Sequence, residues 1–251
     1  MTETARLPQY VIAGLGQTGL SCVRYLQQQS VAFKVWDTRA GFSVSEELAA
    51  QVNADITCGE LPQNYWQGVT HLVLSPGIAT DLPEVARARQ AGVSVIGDIE
   101  LFALAVNQPV IGITGSNGKT TVTLLTTHIL QQLGFNAIAA GNVGLPALDS
   151  LQHKADISVL ELSSFQLETT CSLALSAGAI LNISADHLDR HHTLAAYSEA
   201  KQRIFDHCRV AVVNRDDSNT MPMTAVETKV ATGLTQASED FGWDAPRQTI
   251  T

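Results

Sequence analysis

Short apolar runs alternate with amphipathic stretches along this chain, and nearly every run ends in a glycine-rich turn. That alternation is the signature of parallel α/β structure. Gln9 to Ala13 reads as a first strand and Gly19 to Gln29 as the helix after it. Ala32 to Trp36 reads as a second strand, and His71 to Leu74 as another, cut short by Ser75-Pro76-Gly77. Leu82 to Gln90 has helical spacing, and Ser94 to Ile96 reads as a strand. The pattern then restarts. Ile99 to Val106 looks helical, Pro109 stops it, and Val110 to Thr114 forms a fresh apolar strand ahead of a helix over Thr121 to Leu133. Strands follow at Ala137 to Ala139, Ile157 to Leu160, Ala179 to Asn182 and Val210 to Val213. Thr193 to Cys208 reads as a helix with Leu194, Tyr197, Ala200, Ile204 and Phe205 on its apolar side. From Gly233 to Thr251 the sequence is mixed and polar, with little periodicity. The restart divides the chain near Gly97 into an α/β domain over 1–97 and a second over 98–251, whose sheet looks unfinished where the chain stops.

Composition supports packed cores and narrows the partners. Hydrophobic residues make up 45% of the 251 positions and charged residues 16%, which gives no compositional case for disorder. A net charge of −9 provides no overall field for nucleic acid. The four cysteines, Cys22, Cys58, Cys171 and Cys208, lie far apart and read as small, reduced, packed residues. Met1 to Pro8 is polar without a basic lead into an apolar stretch, and no apolar run reaches membrane-spanning length. A cytoplasmic, monomeric protein with no membrane or nucleic-acid partner is the expectation.

The first glycine turn, Gly14-Leu15-Gly16-Gln17-Thr18-Gly19, matches G-x-G-x-x-G between a strand and a helix. Glycines at that spacing let a phosphate approach backbone N–H groups at a helix N-terminus. The first domain is therefore Rossmann-like. Asp37 ends the second strand, where a dinucleotide site would use an acid to hold ribose hydroxyls. Thr38 and Arg39 follow it, and an arginine there suits a phosphate or diphosphate. Ser75 and Gly77 end another strand on the same expected edge. On this motif alone an NAD-dependent oxidoreductase is an alternative, as is a binding module without catalysis.

The second turn is more specific. Thr114-Gly115-Ser116-Asn117-Gly118-Lys119-Thr120-Thr121 follows a strand and opens a helix. It departs from the strict Walker A spacing, since Ile113 stands where the first glycine would fall, but Gly118-Lys119-Thr120 is intact. Backbone N–H groups of such a loop cradle phosphates, the lysine meets the β and γ oxygens, and the threonine hydroxyl can hold Mg²⁺. A nucleoside triphosphate, ATP with Mg²⁺, is the implied ligand, and residues 98–251 read as an incomplete P-loop ATPase domain. Glu161 ends a later apolar strand, the position from which a P-loop enzyme holds its metal. Asp186, His187 and Asp189 follow the strand at Ala179 to Asn182, and His187 could ligate a second Mg²⁺. His191 and His192 read as solvent-exposed loop residues. Asn142 follows a strand, where an amide can meet a substrate carbonyl or a phosphate or simply make a turn. Lys201 lies on the border of an apolar helix face, at i+4 from Tyr197, and pattern alone makes it a snorkelling surface lysine.

These segments together resemble the Mur ligases of bacterial cell-wall synthesis. The matching runs are Gly14 to Ser21, Asp37 to Arg39, Ser75 to Ile78, Gly97 to Phe102, Thr114 to Thr121, Gly141 to Pro146, Glu161 to Glu168 and Asp186 to Arg190. The run Ser163-Ser-Phe-Gln-Leu-Glu168 is the most specific, for the branch that adds D-glutamate. The resemblance implies that Leu15, Gln17, Thr18, Asp37, Thr38, Arg39, Ser75 and Gly77 lie at a site for UDP-N-acetylmuramoyl-L-alanine in place of NAD. Gln17 stands where the family usually has an apolar residue. It implies that Gly115 to Thr121 bind ATP, that Thr120 and Glu161 hold the first Mg²⁺ and His187 the second, and that Asn142 and Ser163 contact substrate or phosphate. Lys201 aligns with a lysine the family carbamylates to serve the second metal, which displaces the snorkelling reading. Catalysis by Lys119, Glu161, His187 and Lys201 would form an acyl phosphate and then an amide with D-glutamate. The family's adenine-contacting His-Asn-x-x-Asn segment and its C-terminal domain have no match here, so a truncated and inactive chain is expected.

Overall fold

The computed structural model describes residues 9–234, 241–244 and 249–250, with side chains over 9–234. The polar start at Met1 to Pro8 lies outside the described residues, as do 235–240, 245–248 and Thr251 of the tail. The chain forms two compact units, 1–101 and 102–251.

The first unit runs β1 (Tyr10–Ala13), α1 (Gln17–Gln28), β2 (Phe33–Asp37), α2 (Glu46–Val52), β3 (Ile56–Cys58), β4 (His71–Leu74), α3 (Pro83–Gln90) and β5 (Ser94–Gly97). Its parallel sheet has the order β3-β2-β1-β4-β5. The strand order reverses between β1 and β4, so the turns after these two strands face each other across a switch point, where open α/β sheets bind ligands. One face of the sheet packs on Trp36, Trp66, Leu72, Leu74, Val85 and Ala88. Trp36 and Trp66 meet edge to face at 6.4 Å, and the Trp36 indole donates to the Gly59 carbonyl at 2.8 Å.

Helix α4 (Asp98–Ala105) leads out of the first unit. The second continues with β6 (Val110–Thr114), α5 (Lys119–Gln132), β7 (Ala137–Gly141), α6 (Ala147–Ser150), β8 (Ile157–Glu161), α7 (Ser164–Glu168), β9 (Leu175–Ile180), α8 (Leu188–His191), α9 (Leu194–Gln202), β10 (Cys208–Asn214), β11 (Thr228–Gly233), β12 (Phe241–Asp244) and β13 (Thr249–Ile250). The sheet order is β13-β12-β11-β10-β9-β6-β8-β7. All neighbours are parallel except β12 and β13.

Several expectations are corrected. The helix expected over Thr193 to Cys208 stops at Gln202, turns through a 3-10 segment at Arg203–Phe205, and Cys208 opens β10. The strand expected from Ala179 begins at Leu175 and ends at Ile180. Its small residues have a packing reason: a Cβ on Gly178 would lie 3.0 Å from Cys208 Sγ, so the next strand needs that space. The tail carries two strands where little order was expected, held by backbone pairing of Thr232 with Phe241 and Gly233 with Gly242. Cys22 and Cys208 are buried, whereas Cys171 is exposed and not packed as expected. No described helix is long and apolar enough to cross a membrane.

Candidate functional site

In the first unit, Gly14 takes φ +92°, a conformation that favours glycine, and the Ser75 N–H donates to the Ala13 carbonyl at 3.1 Å to join the two turns. A Cβ at Gly19 would lie 1.8 Å from the Gly14 oxygen, so α1 presses directly on the turn. A Cβ at Gly16 would meet nothing within 4 Å, which leaves the open side a ligand backbone approach requires.

Asp37 is engaged by its own glycine turn and by Arg39. Its Oδ2 accepts from the Leu15 N–H at 3.0 Å and Arg39 Nη2 at 2.9 Å, and its Oδ1 accepts from Arg39 N at 3.1 Å and Nε at 2.8 Å. The side-chain bond from Arg39 is the main reason its carboxyl is held below the usual range. A buried acid engaged this way fixes the glycine turn and aims Arg39, which stacks on Phe42 at 3.9 Å. The rim around Leu15, which is itself buried, is formed by the exposed Gln17, Thr38, Arg39 and Gly77 and the half-buried Thr18. The Ser75 hydroxyl, beside Gly14, is buried and has no hydrogen-bond partner among the described residues.

In the second unit β6 lies between β8 and β9, so the segments leaving these three strands meet at one sheet edge. Gly115 (φ +152°) and Gly118 (φ +82°) shape the loop after β6. Gly118 caps α5 without a side chain, so no cap competes for the first-turn N–H groups of Lys119, Thr120 and Thr121. The loop is stapled to the segment after β9. Ser116 N–H donates to the Asn182 carbonyl at 3.0 Å, and Asn117 N–H to Asn182 Oδ1 at 2.9 Å. Asn182 Nδ2 returns a bond to the Asn117 carbonyl at 3.0 Å. Lys119 folds back on its own loop, donating to the carbonyls of Gly115 at 2.9 Å and Ser116 at 3.0 Å.

Glu161, 2% exposed at the end of β8, receives the Thr120 hydroxyl at 2.7 Å and the Asn142 amide at 2.7 Å. Asn142 is placed by its own N–H, which donates to the Glu161 carbonyl at 2.9 Å. Gly141 must precede it, because a Cβ there would lie 2.4 Å from that carbonyl oxygen. A buried carboxylate whose hydrogen bonds come from a threonine hydroxyl and an amide fits a hard divalent cation held jointly with that hydroxyl. The glycine loop, the helix start and Lys119 fit a triphosphate.

Lys201 is 1% exposed, so the snorkelling reading is wrong. Its Nζ lies 3.2 Å from Thr114 Oγ1 and 4.7 Å from the centre of the Tyr197 ring. Burial first, then the charge of Lys119, pulls its pKa down to about 7, against the opposing effect of Asp186 and Glu161. The helix periodicity placed Lys201 beside Tyr197 on the helix's own stripe but could not show that Thr114 of β6 packs against it from across the fold.

His187 is exposed, in a left-handed conformation (φ 51°), with Nε2 3.6 Å from Asp186 Oδ2 and its ring 5.0 Å from Phe165. No group of three or more His, Cys, Asp or Glu side chains gathers among the described residues. His191, read from sequence as exposed, is buried. It stacks on Phe165 at 5.2 Å and bridges Ser164 Oγ (2.9 Å) and Glu168 Oε1 (3.3 Å). The carboxylate can only accept, so Nδ1 carries the proton and Nε2 takes the Ser164 hydroxyl. Desolvation holds the ring's pKa down. The Ser163-to-Glu168 run thus ties α7 to α8. Ser163 itself caps α7 in a capping box with Gln166. Tyr197 and Asn182 are the site residues the sequence reading missed. Neither belongs to a motif, and only the partners across the fold reveal them.

Two family models match the chain: the N-terminal domain of MurD-like Mur ligases over residues 8–97, and the Mur ligase middle domain over residues 113–247. The chain is 44% identical over 240 residues to the UDP-N-acetylmuramoylalanine--D-glutamate ligase of Legionella pneumophila, covering 94% of this chain and 52% of that one. It is 49% identical over 234 residues to the ligase of the same name from Vibrio parahaemolyticus, covering 92% and 53%. The chain spans about half the length of the curated relatives it matches. Among solved structures it resembles a UDP-N-acetylmuramate:L-alanyl-gamma-D-glutamyl-meso-diaminopimelate ligase from Neisseria meningitides, with TM-score 0.60 and 13% identity, covering 94% of this chain and 80% of that one. It also resembles a murein peptide ligase from Psychrobacter arcticus, with TM-score 0.55 and 16% identity, covering 94% and 55%. At these identities the structures speak for the fold alone.

Proposed function

The chain belongs to the Mur ligase family, and on that premise we propose that it serves an ATP-dependent ligase that adds D-glutamate to UDP-N-acetylmuramoyl-L-alanine during peptidoglycan precursor synthesis in the cytoplasm. Relatives named for that reaction supply the substrate assignment. The observation that carries the chemistry is Glu161: a buried carboxylate at the phosphate loop, reached by the Thr120 hydroxyl and the Asn142 amide.

In this reading the loop from Gly115 to Thr121 takes the triphosphate, with Lys119 leaving its two carbonyls for phosphate oxygens. Thr120 and Glu161 would hold one Mg²⁺, and His187 with the carbamate of Lys201 would hold a second. Bound Mg²⁺ supplies charge neutralisation on the crowded phosphate oxygens. The muramoyl-alanine carboxylate attacks the γ-phosphorus and ADP leaves; the D-glutamate amine then attacks the acyl phosphate, and phosphate leaves. With its pKa at about 7, Lys201 offers a neutral amine to CO₂; a C–N bond forms, one N–H proton passes to water, and a carbamate anion stands in place of a cation. Leu15, Gln17, Thr18, Thr38, Arg39, Ser75 and Gly77 form the UDP-substrate site, with Asp37 as the residue that sets the turn and Arg39. Asn142 and Ser163 meet substrate or phosphate, Ser163 giving up its cap to do so.

Calorimetric titration of the chain with ATP tests the reading. Binding is expected to need Mg²⁺ and to weaken at least about tenfold in Glu161→Gln. ATP affinity equal with and without Mg²⁺ would count against it. So would binding of NADH in preference to UDP-N-acetylmuramoyl-L-alanine.

A further inference from the structure

We infer that Tyr197 is a positioning residue that couples the phosphate loop to the buried lysine of α9, an inference that rests on the nucleotide-binding reading above. Tyr197 is fully buried at 0% exposure. A phenylalanine would fill the same ring volume, so the hydroxyl needs its own explanation. It lies 3.1 Å from Ser116 Oγ, in the middle of the loop.

The direction of that bond follows from counting protons. Ser116 Oγ receives the Ser184 N–H at 2.9 Å and lies 3.0 Å from the Ser184 carbonyl. The carbonyl can only accept, so it takes the one hydroxyl proton Ser116 has. Ser116 Oγ is left with one lone pair, and Tyr197 must be the donor to it. Burial, which pushes the phenol's pKa up, keeps that proton in place. Ser116 is then satisfied on all sides, held between the segment after β9 and helix α9.

The ring does the second half of the work. Tyr197 and Lys201 are four residues apart on α9, so they share one helix face. The lysine Nζ sits 4.7 Å from the ring centre, and the same ring meets His191 at 5.3 Å and His187 at 6.4 Å. One side chain thus meets the loop, the lysine, and His187 and His191 of the segment after β9. Any shift of α9 that moves Lys201 also pulls on Ser116, and through it on the peptide groups beside Lys119.

The test measures affinity of the whole chain for a fluorescent ATP analogue with Mg²⁺, alongside ligand-free melting. Tyr197→Phe keeps the ring and removes the donor. Binding is expected to weaken about five- to tenfold, while melting moves by no more than about 4 °C. In a Ser116→Val background, Tyr197→Phe is expected to change affinity by less than about twofold, because its acceptor is gone. Wild-type affinity in Tyr197→Phe overturns the inference, and so does an equal loss in the Ser116→Val background. Should Tyr197→Phe lose cooperative melting, Ser116→Thr against Ser116→Val decides. Affinity kept by threonine and lost by valine supports the coupling, and equal affinity overturns it. A wild-type chain that does not bind the analogue sinks the nucleotide reading itself and this inference with it.

Discussion

Lys201 shows what a single residue can disclose and hide. Its unfolded pKa is near 10.5 and its folded value about 7, so between those pH values the unfolded chain binds more protons than the folded one. Stability should therefore rise with pH across that window, and the penalty should be fully developed below about pH 7. Lys201→Met removes it, since Thr114 keeps its own bond to the Leu162 carbonyl at 2.7 Å. In CO₂-free buffer the variant should be more stable by on the order of 2 kcal/mol at neutral pH. The gap should close towards alkaline pH, and urea melts across that range would show it; a gap independent of pH would contradict the burial argument. The lysine's place on a helix border was legible in the sequence, but its depth was not, because depth depends on a strand 87 residues away. Asp37 is the opposite case. Its spacing was read well, yet its oxygens hold the turn and Arg39, and no spacing rule distinguishes an acid facing a ligand from one facing its own backbone.

At the scale of elements, contacts between glycine backbones set how closely helix and strand approach. Gly19→Ala places a methyl 1.8 Å from the Gly14 oxygen, with no flexible side chain to give way. It should cost more than about 3 kcal/mol, measured as the chemical denaturation midpoint of the first unit; a cost under about 1 kcal/mol would mean that α1 can lift off the turn. Ser163→Ala deletes the α7 cap and should cost about 1 kcal/mol by the same measurement. Strands with long β-branched or leucine-rich runs, such as Val110–Thr114, were plain from sequence. Others escaped. Helix α2 is mostly exposed and buries only Val52, so it has no apolar stripe to read. Strand β9 was legible only at its end, because Leu175–Ile180 is built largely from small residues, and β12 was missed in a segment with little periodicity.

At the scale of the whole molecule, each glycine motif sits within its own unit, the first in 1–101 and the second in 102–251. Two ligands should therefore leave separate footprints. Hydrogen exchange with UDP-N-acetylmuramoyl-L-alanine should protect the turns after β1 and β4, and Mg²⁺ with ATP the loop after β6 and the segment from Asn182 to Ser184. Protection of one and the same unit by both ligands would contradict that division of labour. The alternation of runs and turns carried this organisation openly, because a restarted α/β pattern needs a second core. The resting posture of Lys119 has a consequence of its own. Its ammonium is already engaged by two carbonyls of the turn it belongs to. A guest with few charged oxygens must turn them to the ammonium to replace both carbonyls and has fewer left for the amides of the loop. A guest with a row of them can replace both carbonyls and still reach the neighbouring amides, so discrimination between inorganic phosphate and a longer polyphosphate begins with where one lysine rests.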